Sequence, residues 1–128
     1  MAGRFQYLKR TTVIAVQLAL ETDGFTYRKW GGAQHCKAGD WIVNNHGDVY
    51  TVDAESFAHT YRKVRDGVYR KGTPVWAEVA SAAGRIPTKE GFTEYRAGDY
   101  LVSNGPDGQD AYAIGAAAFE AQYERVVD

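Results

Sequence analysis

Tyr7-Leu8-Lys9-Arg10-Thr11-Thr12-Val13 and Tyr69-Arg70-Lys71-Gly72-Thr73-Pro74-Val75 stand 62 positions apart and share Tyr, Lys, Thr and Val in register. The correspondence runs on through each half. Ala38-Gly39-Asp40-Trp41-Ile42-Val43 recurs as Ala97-Gly98-Asp99-Tyr100-Leu101-Val102, and Phe57, Tyr61 and Val64 recur as Phe119, Tyr123 and Val126. The chain therefore reads as a duplicated module, with a first repeat over 1–65 and a second over 66–128. A repeat of about 60 residues lies near the lower limit at which a lone core is stable. The two halves are accordingly expected to share a core and pack as one globular unit.

Composition points to sheets and turns. Of 128 residues, 45% are hydrophobic and 24% charged, as in an ordinary globular protein, and 9 tyrosines with 14 glycines favour strands and tight turns over a helical bundle. The longest purely apolar run, Val13 to Val16, is too short to span a bilayer, and the N-terminus lacks the apolar segment of a secretory signal. The expectation is a soluble, intracellular protein with no membrane partner. Cys36 is the single cysteine, which removes any internal disulfide. The net charge of −1 divides unevenly, with nine Lys/Arg against six Asp/Glu in residues 1–65 and six against ten in residues 66–128. Opposite charge on two copies of one fold would fix their pairing; two independently solvated surfaces would look the same.

The first half predicts five short strands. Thr12 to Leu20 alternates with Ile14, Val16, Leu18 and Leu20 on one face and Val13 and Ala15 on the other. Asp23-Gly24 suits a tight turn, Phe25 to Trp30 alternates in the period of two of a half-buried strand, and Gly31-Gly32 turns the chain again. Strands over Gln34 to Lys37, Trp41 to Asn44 and Val49 to Val52 follow, separated by Ala38-Gly39-Asp40 and His46-Gly47-Asp48. A helix should close the meander: Asp53 is a competent N-cap, and Phe57, Tyr61 and Val64 form a stripe at i, i+4 and i+7. In the second half Gly115 takes the cap position and Ala116-Ala117-Ala118 the first turn, with Phe119, Tyr123 and Val126 as the stripe. The expected fold is α+β and β-rich: two tandem five-stranded meanders, SH3-like or OB-like part-barrels or one continuous sheet, each closed by a C-terminal helix and related by a pseudo-twofold.

Gly39-Asp40-Trp41-Ile42-Val43, then Gly47 and Val49-Tyr50, then Phe57 four residues before Tyr61, resembles a group of small phage and prophage proteins of unknown function. The first strand Thr12-Val13-Ile14-Ala15-Val16-Gln17 and the endings Phe57-Ala58-His59-Thr60-Tyr61 and Phe119-Glu120-Ala121-Gln122-Tyr123-Glu124 match that group's pattern. The present chain differs in carrying two motif sets and in having Ala38 and Ala97 where the group has Pro. The resemblance implies a phage or actinobacterial-prophage origin, in the cytoplasm of a bacterial host or on the virion, and implies no mechanism.

No residue set demands a particular reaction. His35 and Cys36 are adjacent, but neighbours in a strand face opposite ways, and the second half has Glu94-Tyr95 there. His35, Cys36, His46 and His59 lack the paired spacing of zinc ligands, so neither a metal nor another cofactor is expected. Asp40 and Asp99, read as the only acidic pair at equivalent positions, could face each other as an acid/base couple, while the simpler role for each is to accept backbone N–H bonds in its own turn. Neither a P-loop nor a dinucleotide-binding glycine motif occurs. The strongest electrostatic feature is the join, where Arg62, Lys63, Arg65, Arg70 and Lys71 face only Asp66. If the halves pack across it, these residues with Tyr61, Tyr69 and Trp30 or Trp76 would line the mouth of the seam and suit an anion carrying a flat ring, such as a nucleotide. A plain solvated linker is the alternative.

The leading expectation is thus a non-catalytic binding module. It would sequester an anionic small molecule or nucleotide at Arg62, Lys63, Arg65, Tyr69, Arg70 and Lys71, or dock on a host or phage protein. The rivals are a small enzyme acting on a phosphorylated or nucleotide-derived substrate and a structural virion accessory or assembly protein that forms homo-oligomers. The overall acidity disfavours nucleic acid.

Overall fold

The computed structural model describes residues 3–126. Fourteen strands and two helices follow one another: β1 (Phe5–Lys9), β2 (Thr12–Gln17), β3 (Phe25–Lys29), β4 (Gly32–Cys36), β5 (Trp41–Asn45), β6 (Asp48–Val52), α1 (Ala54–Thr60), β7 (Tyr61–Arg65), β8 (Val68–Lys71), β9 (Val75–Val79), β10 (Gly84–Pro87), β11 (Phe92–Tyr95), β12 (Tyr100–Ser103), β13 (Ala111–Ile114), α2 (Ala116–Gln122) and β14 (Tyr123–Arg125). They form two five-stranded antiparallel sheets and two separate two-stranded ribbons, so the β-rich expectation holds.

The sheet orders are β6-β5-β2-β8-β7 and β13-β12-β9-β1-β14. Each sheet takes four strands from one half and one from the other. β1 lies between β9 and β14, with Tyr7 opposite both Val75 and Arg125. β8 lies between β2 and β7, with Tyr69 opposite Val13 and Lys63. Matching bonds anchor the two exchanged strands: the Arg10 N–H donates to the Gln122 carbonyl (2.7 Å), and the Gly72 N–H donates to the Thr60 carbonyl (2.8 Å). A sequence boundary between residues 65 and 66 therefore falls inside a hairpin of one sheet.

The five strands read in the first half correspond to β2 through β6, but they do not run as one meander. β3 and β4 leave the sheet as a ribbon, joined by Trp30-Gly31 with φ of 57° and 84°, the left-handed pair of a tight two-residue turn. His46-Gly47, at 54° and 97°, joins β5 to β6 in the same way. The ribbon's β4 bridges to the second-half ribbon at Gln34 and Gly91, and Gln34 Nε2 donates to the Phe92 carbonyl (2.6 Å).

The helix stripe needs correction. Asp53 does cap α1, accepting from the Glu55 and Ser56 N–H groups (3.1 and 3.2 Å), but α1 ends at Thr60 and α2 at Gln122. Tyr61 and Tyr123 are the first residues of β7 and β14, and Val64 is exposed. Strand pairing with β8 and β1 captures the chain after two turns, overriding a helical period that the side chains alone would continue.

Each half has its own aromatic core. Trp41, Phe57 and Tyr61 stack with centroid separations of 4.0 and 4.5 Å, and Tyr100, Phe119 and Tyr123 repeat the stack at 4.1 and 4.5 Å. The exchanged strands close both stacks. Tyr69 sets its edge against Trp41 and Phe57 (5.1 Å each), and Tyr7 against Phe119 (4.9 Å). Val13, Ala15 and Val43 complete the first core and Val75, Ala77 and Val102 the second. Of the two faces of β2, the one carrying Val13 and Ala15 is thus buried, and Ile14 and Val16 are exposed.

Candidate functional site

A cavity of about 440 Å³ lies between the halves, in the size range of small-molecule sites. The exchanged strands build its polar centre. Lys9 ends β1 opposite Tyr123, and Lys71 ends β8 opposite Tyr61, so the same strand position delivers an ammonium group from each half. Tyr50 on β6 and Tyr112 on β13 line the cavity with Tyr61 and Tyr123, and Asn45 and Asn104 extend the correspondence. Lys71 Nζ donates to the Tyr112 hydroxyl oxygen (2.7 Å) and sits 5.0 Å from that ring's centre. Lys9 Nζ lies 5.7 Å from the Tyr123 ring and has no hydrogen-bond partner among the described residues.

Both lysines are only 5% exposed, a costly place for a charge. Burial lowers Lys9 to about 8, partly offset by the Asp48 carboxylate. Burial lowers Lys71 further, to about 7, with repulsion from Lys9 adding to it and Asp110 opposing it. Burial also holds the Tyr61 and Tyr112 hydroxyls protonated well above their ordinary range and pushes Tyr123 up to about 12. The hydroxyls are therefore proton donors at neutral pH.

Of the acidic groups on the cavity wall, Asp48, Glu90, Asp99 and Asp110 have partners, and the Glu94 carboxylate has none among the described residues. Asp48 pairs with Lys29 (2.8 Å), and Asp110 accepts from Ser56 Oγ (2.6 Å) and Asn104 Nδ2 (2.8 Å). Glu90 accepts the Asp53 N–H (2.8 Å), and burial raises its carboxyl above the usual range. The carbonyl oxygens of Asn45 and Asn104 are buried without a partner, although Asn45 Nδ2 reaches Gln122 Oε1 (2.9 Å) across the seam. Trp30, partly exposed, packs on Tyr50 with ring centres 5.6 Å apart. Two lysine amino groups and four phenol hydroxyls thus converge on one space, a set that can hold an anion.

Of the six residues Arg62, Lys63, Arg65, Tyr69, Arg70 and Lys71, only Lys71 lines this cavity, joined there by Tyr61, Trp30 and Asp99 from the wider sequence reading. Arg62, Lys63, Arg65 and Arg70 are exposed on the β7–β8 hairpin, with Lys63 paired to Asp66 (2.9 Å), and Tyr69 belongs to the first core. Trp30 reaches the cavity; Trp76, paired with Gln6 and Ser103, lies on the opposite face of its sheet from the core residues Val75 and Ala77. Asp40 and Asp99 serve separate turns. Fully buried Asp40 accepts the Lys37 and Ala54 N–H groups (2.8 and 2.9 Å), and Asp99 accepts the Arg96 N–H (2.9 Å). His35 bonds Thr26 on the exposed side of its ribbon while Cys36 is buried, its thiol raised by burial. Among the described residues no three His, Cys, Asp or Glu side chains cluster to hold a metal. Among the described residues no helix is long and apolar enough to cross a membrane.

Sequence reasoning missed Lys9, Tyr50, Tyr112 and the acidic pair Asp48 and Asp110. The signal was present: each lies 62 positions from its counterpart, Lys9 with Lys71 in the opening stretch itself. The longer loop at Asn104 to Gly108 obscured the Asp48–Asp110 match.

No family model matches the chain, and no match was found among curated proteins or among solved structures.

Proposed function

We propose that this protein is a non-catalytic binding module, a tandem duplication of phage-associated type with exchanged first strands, that sequesters a small anionic molecule in the seam between its halves. One observation carries the reading: Lys9 and Lys71, both buried, line the same cavity beside protonated tyrosines. A fold that leaves two ammonium groups so poorly solvated is compensated when an anion binds, because the ligand restores the counter-charge that water no longer supplies. The flat ring expected of such an anion, a nucleotide included, has Trp30 and Tyr50 to lie against.

Native mass spectrometry of the purified protein should reveal a co-purifying small anion. Calorimetry against phosphate, carboxylates and nucleotides should then give binding that the Lys9→Met/Lys71→Met double variant loses. A double variant that binds as well as the parent would sink the reading.

Docking on a protein is the second reading. Cross-strand pairing sets Val49, Asn44, Ile14 and Val68 in one row on the outer face of the first sheet, with Val16 and Ile42 in the next, and Ile14 and Val16 are 62% and 60% exposed. Light scattering across a concentration series tests whether that face pairs with a second copy, which Ile14→Glu would abolish.

A further inference from the structure

We propose that the cavity captures a small 2-oxo acid covalently, the Lys71 amine condensing with the ligand's keto carbon while the Lys9 ammonium holds its carboxylate. This inference rests on the anion-binding reading above and adds chemistry to it. The two lysines occupy equivalent strand positions, yet their surroundings give them different tasks. Lys71 has a hydroxyl at bonding distance, Tyr112, whereas Lys9 has a charge and no partner. A substrate with a carboxylate next to a carbonyl presents both complements at once.

The titratable groups nearest Lys71 are Lys9 on β1, Tyr61 on β7, Tyr112 on β13 and Asp110 just before it, and the same cavity is lined by His46, Asp48, Tyr50, Glu90, Glu94, Asp99 and Tyr123. Burial together with the Lys9 charge brings Lys71 to about 7, so near neutrality about half of it is the free amine a carbonyl requires. Lys9, at about 8, stays mostly charged there. The tyrosines remain protonated and supply hydrogen bonds without adding negative charge.

In the step itself, the Nζ lone pair attacks the keto carbon and a C–N bond forms. One amine hydrogen passes to the former carbonyl oxygen, with the Tyr112 hydroxyl as relay. The C–O bond then breaks, the second amine hydrogen leaves with that oxygen as water, and an imine remains. No oxidant or reductant is consumed, and hydrolysis reverses the step.

The test incubates the intact protein with pyruvate and cyanoborohydride, which reduces an imine to a stable secondary amine, followed by peptide mapping. The expected product is an adduct on Lys71, with a mass gain of pyruvate less water plus two hydrogens and a yield that rises with pH through about 7. An adduct spread over exposed lysines, or confined to Lys9, overturns the assignment. Lactate, which lacks the carbonyl, separates the two readings by calorimetry. Lactate binding with no pyruvate adduct overturns the covalent step and leaves the anion site intact, whereas no binding and no adduct overturns both. Lys71→Arg keeps a cation and should bind lactate while forming no adduct at that position; if it fails to fold, the peptide map of the parent protein still decides.

Discussion

Replacing Lys71 by Met should make the unliganded protein more stable at mildly acid pH and leave no gain at alkaline pH. The unfolded chain binds the Lys71 proton with an ordinary pKa of 10.5, and the fold lowers that to about 7. At about 1.4 kcal/mol per unit, burying the ammonium group costs about 5 kcal/mol when the group is fully charged. The folded state releases its proton first, so between about pH 7 and 10.5 the unfolded state carries more protons and stability rises with pH. Below that window the penalty is present in full. Met matches the length of the aliphatic stem, carries no charge and leaves the Tyr112 hydroxyl without its 2.7 Å partner, a loss of about 1 to 3 kcal/mol. The net expectation is a gain of about 2 to 4 kcal/mol near pH 6, from these two opposing contributions, shrinking to zero or turning into a loss of about 1 to 3 kcal/mol above pH 10. Urea unfolding of parent and variant at several pH values measures it. A difference that does not change with pH, or a variant less stable than the parent near pH 6, would refute the argument that Lys71 is buried as a strained cation.

Three further outcomes follow from the packing. Phe119→Ala empties the centre of a three-ring stack at a residue 1% exposed and should lower stability by about 3 to 5 kcal/mol in denaturant unfolding, whereas Ile14→Ser on the outer face should stay within about 0.5 kcal/mol. Asp40→Asn should cost about 1 to 3 kcal/mol and Asp99→Asn less, since Asp40 accepts two backbone N–H groups while buried and Asp99 accepts one; equal losses by thermal melting would contradict this. Deleting residues 1–10 should speed hydrogen exchange in β9 and β14, its sheet neighbours in the far half, more than in β2, and the reverse pattern would show that β1 does not cross over.

How far the sequence could be read depended on the range of the interaction. The tight turn at His46-Gly47, the Asp53 cap and the alternation in β2 involve neighbours a few residues apart and were legible, whereas the β3–β4 turn, expected at Gly31-Gly32, falls one residue earlier at Trp30-Gly31. The stop of α1 after Thr60 was not, because it is imposed by β8, which pairs with the chain from the far side of the next turn. Likewise the join looked like a charged linker because Arg62, Lys63, Arg65 and Arg70 are solvated; what it builds is a hairpin whose last residue turns inward.

The candidate site shows the same division. The sequence by itself determined a β-rich chain in which Lys9 and Lys71, Tyr50 and Tyr112, and Tyr61 and Tyr123 each stand 62 positions apart. Tertiary structure alone decided that β1 and β8 cross between the sheets and so bring both lysines to one cavity. The reason is physical: alternation within a strand fixes which side chains share a face, but which sheet a strand joins depends on the aromatic stack it closes, as Tyr7 and Tyr69 do for the partner half, and on backbone groups far away along the chain.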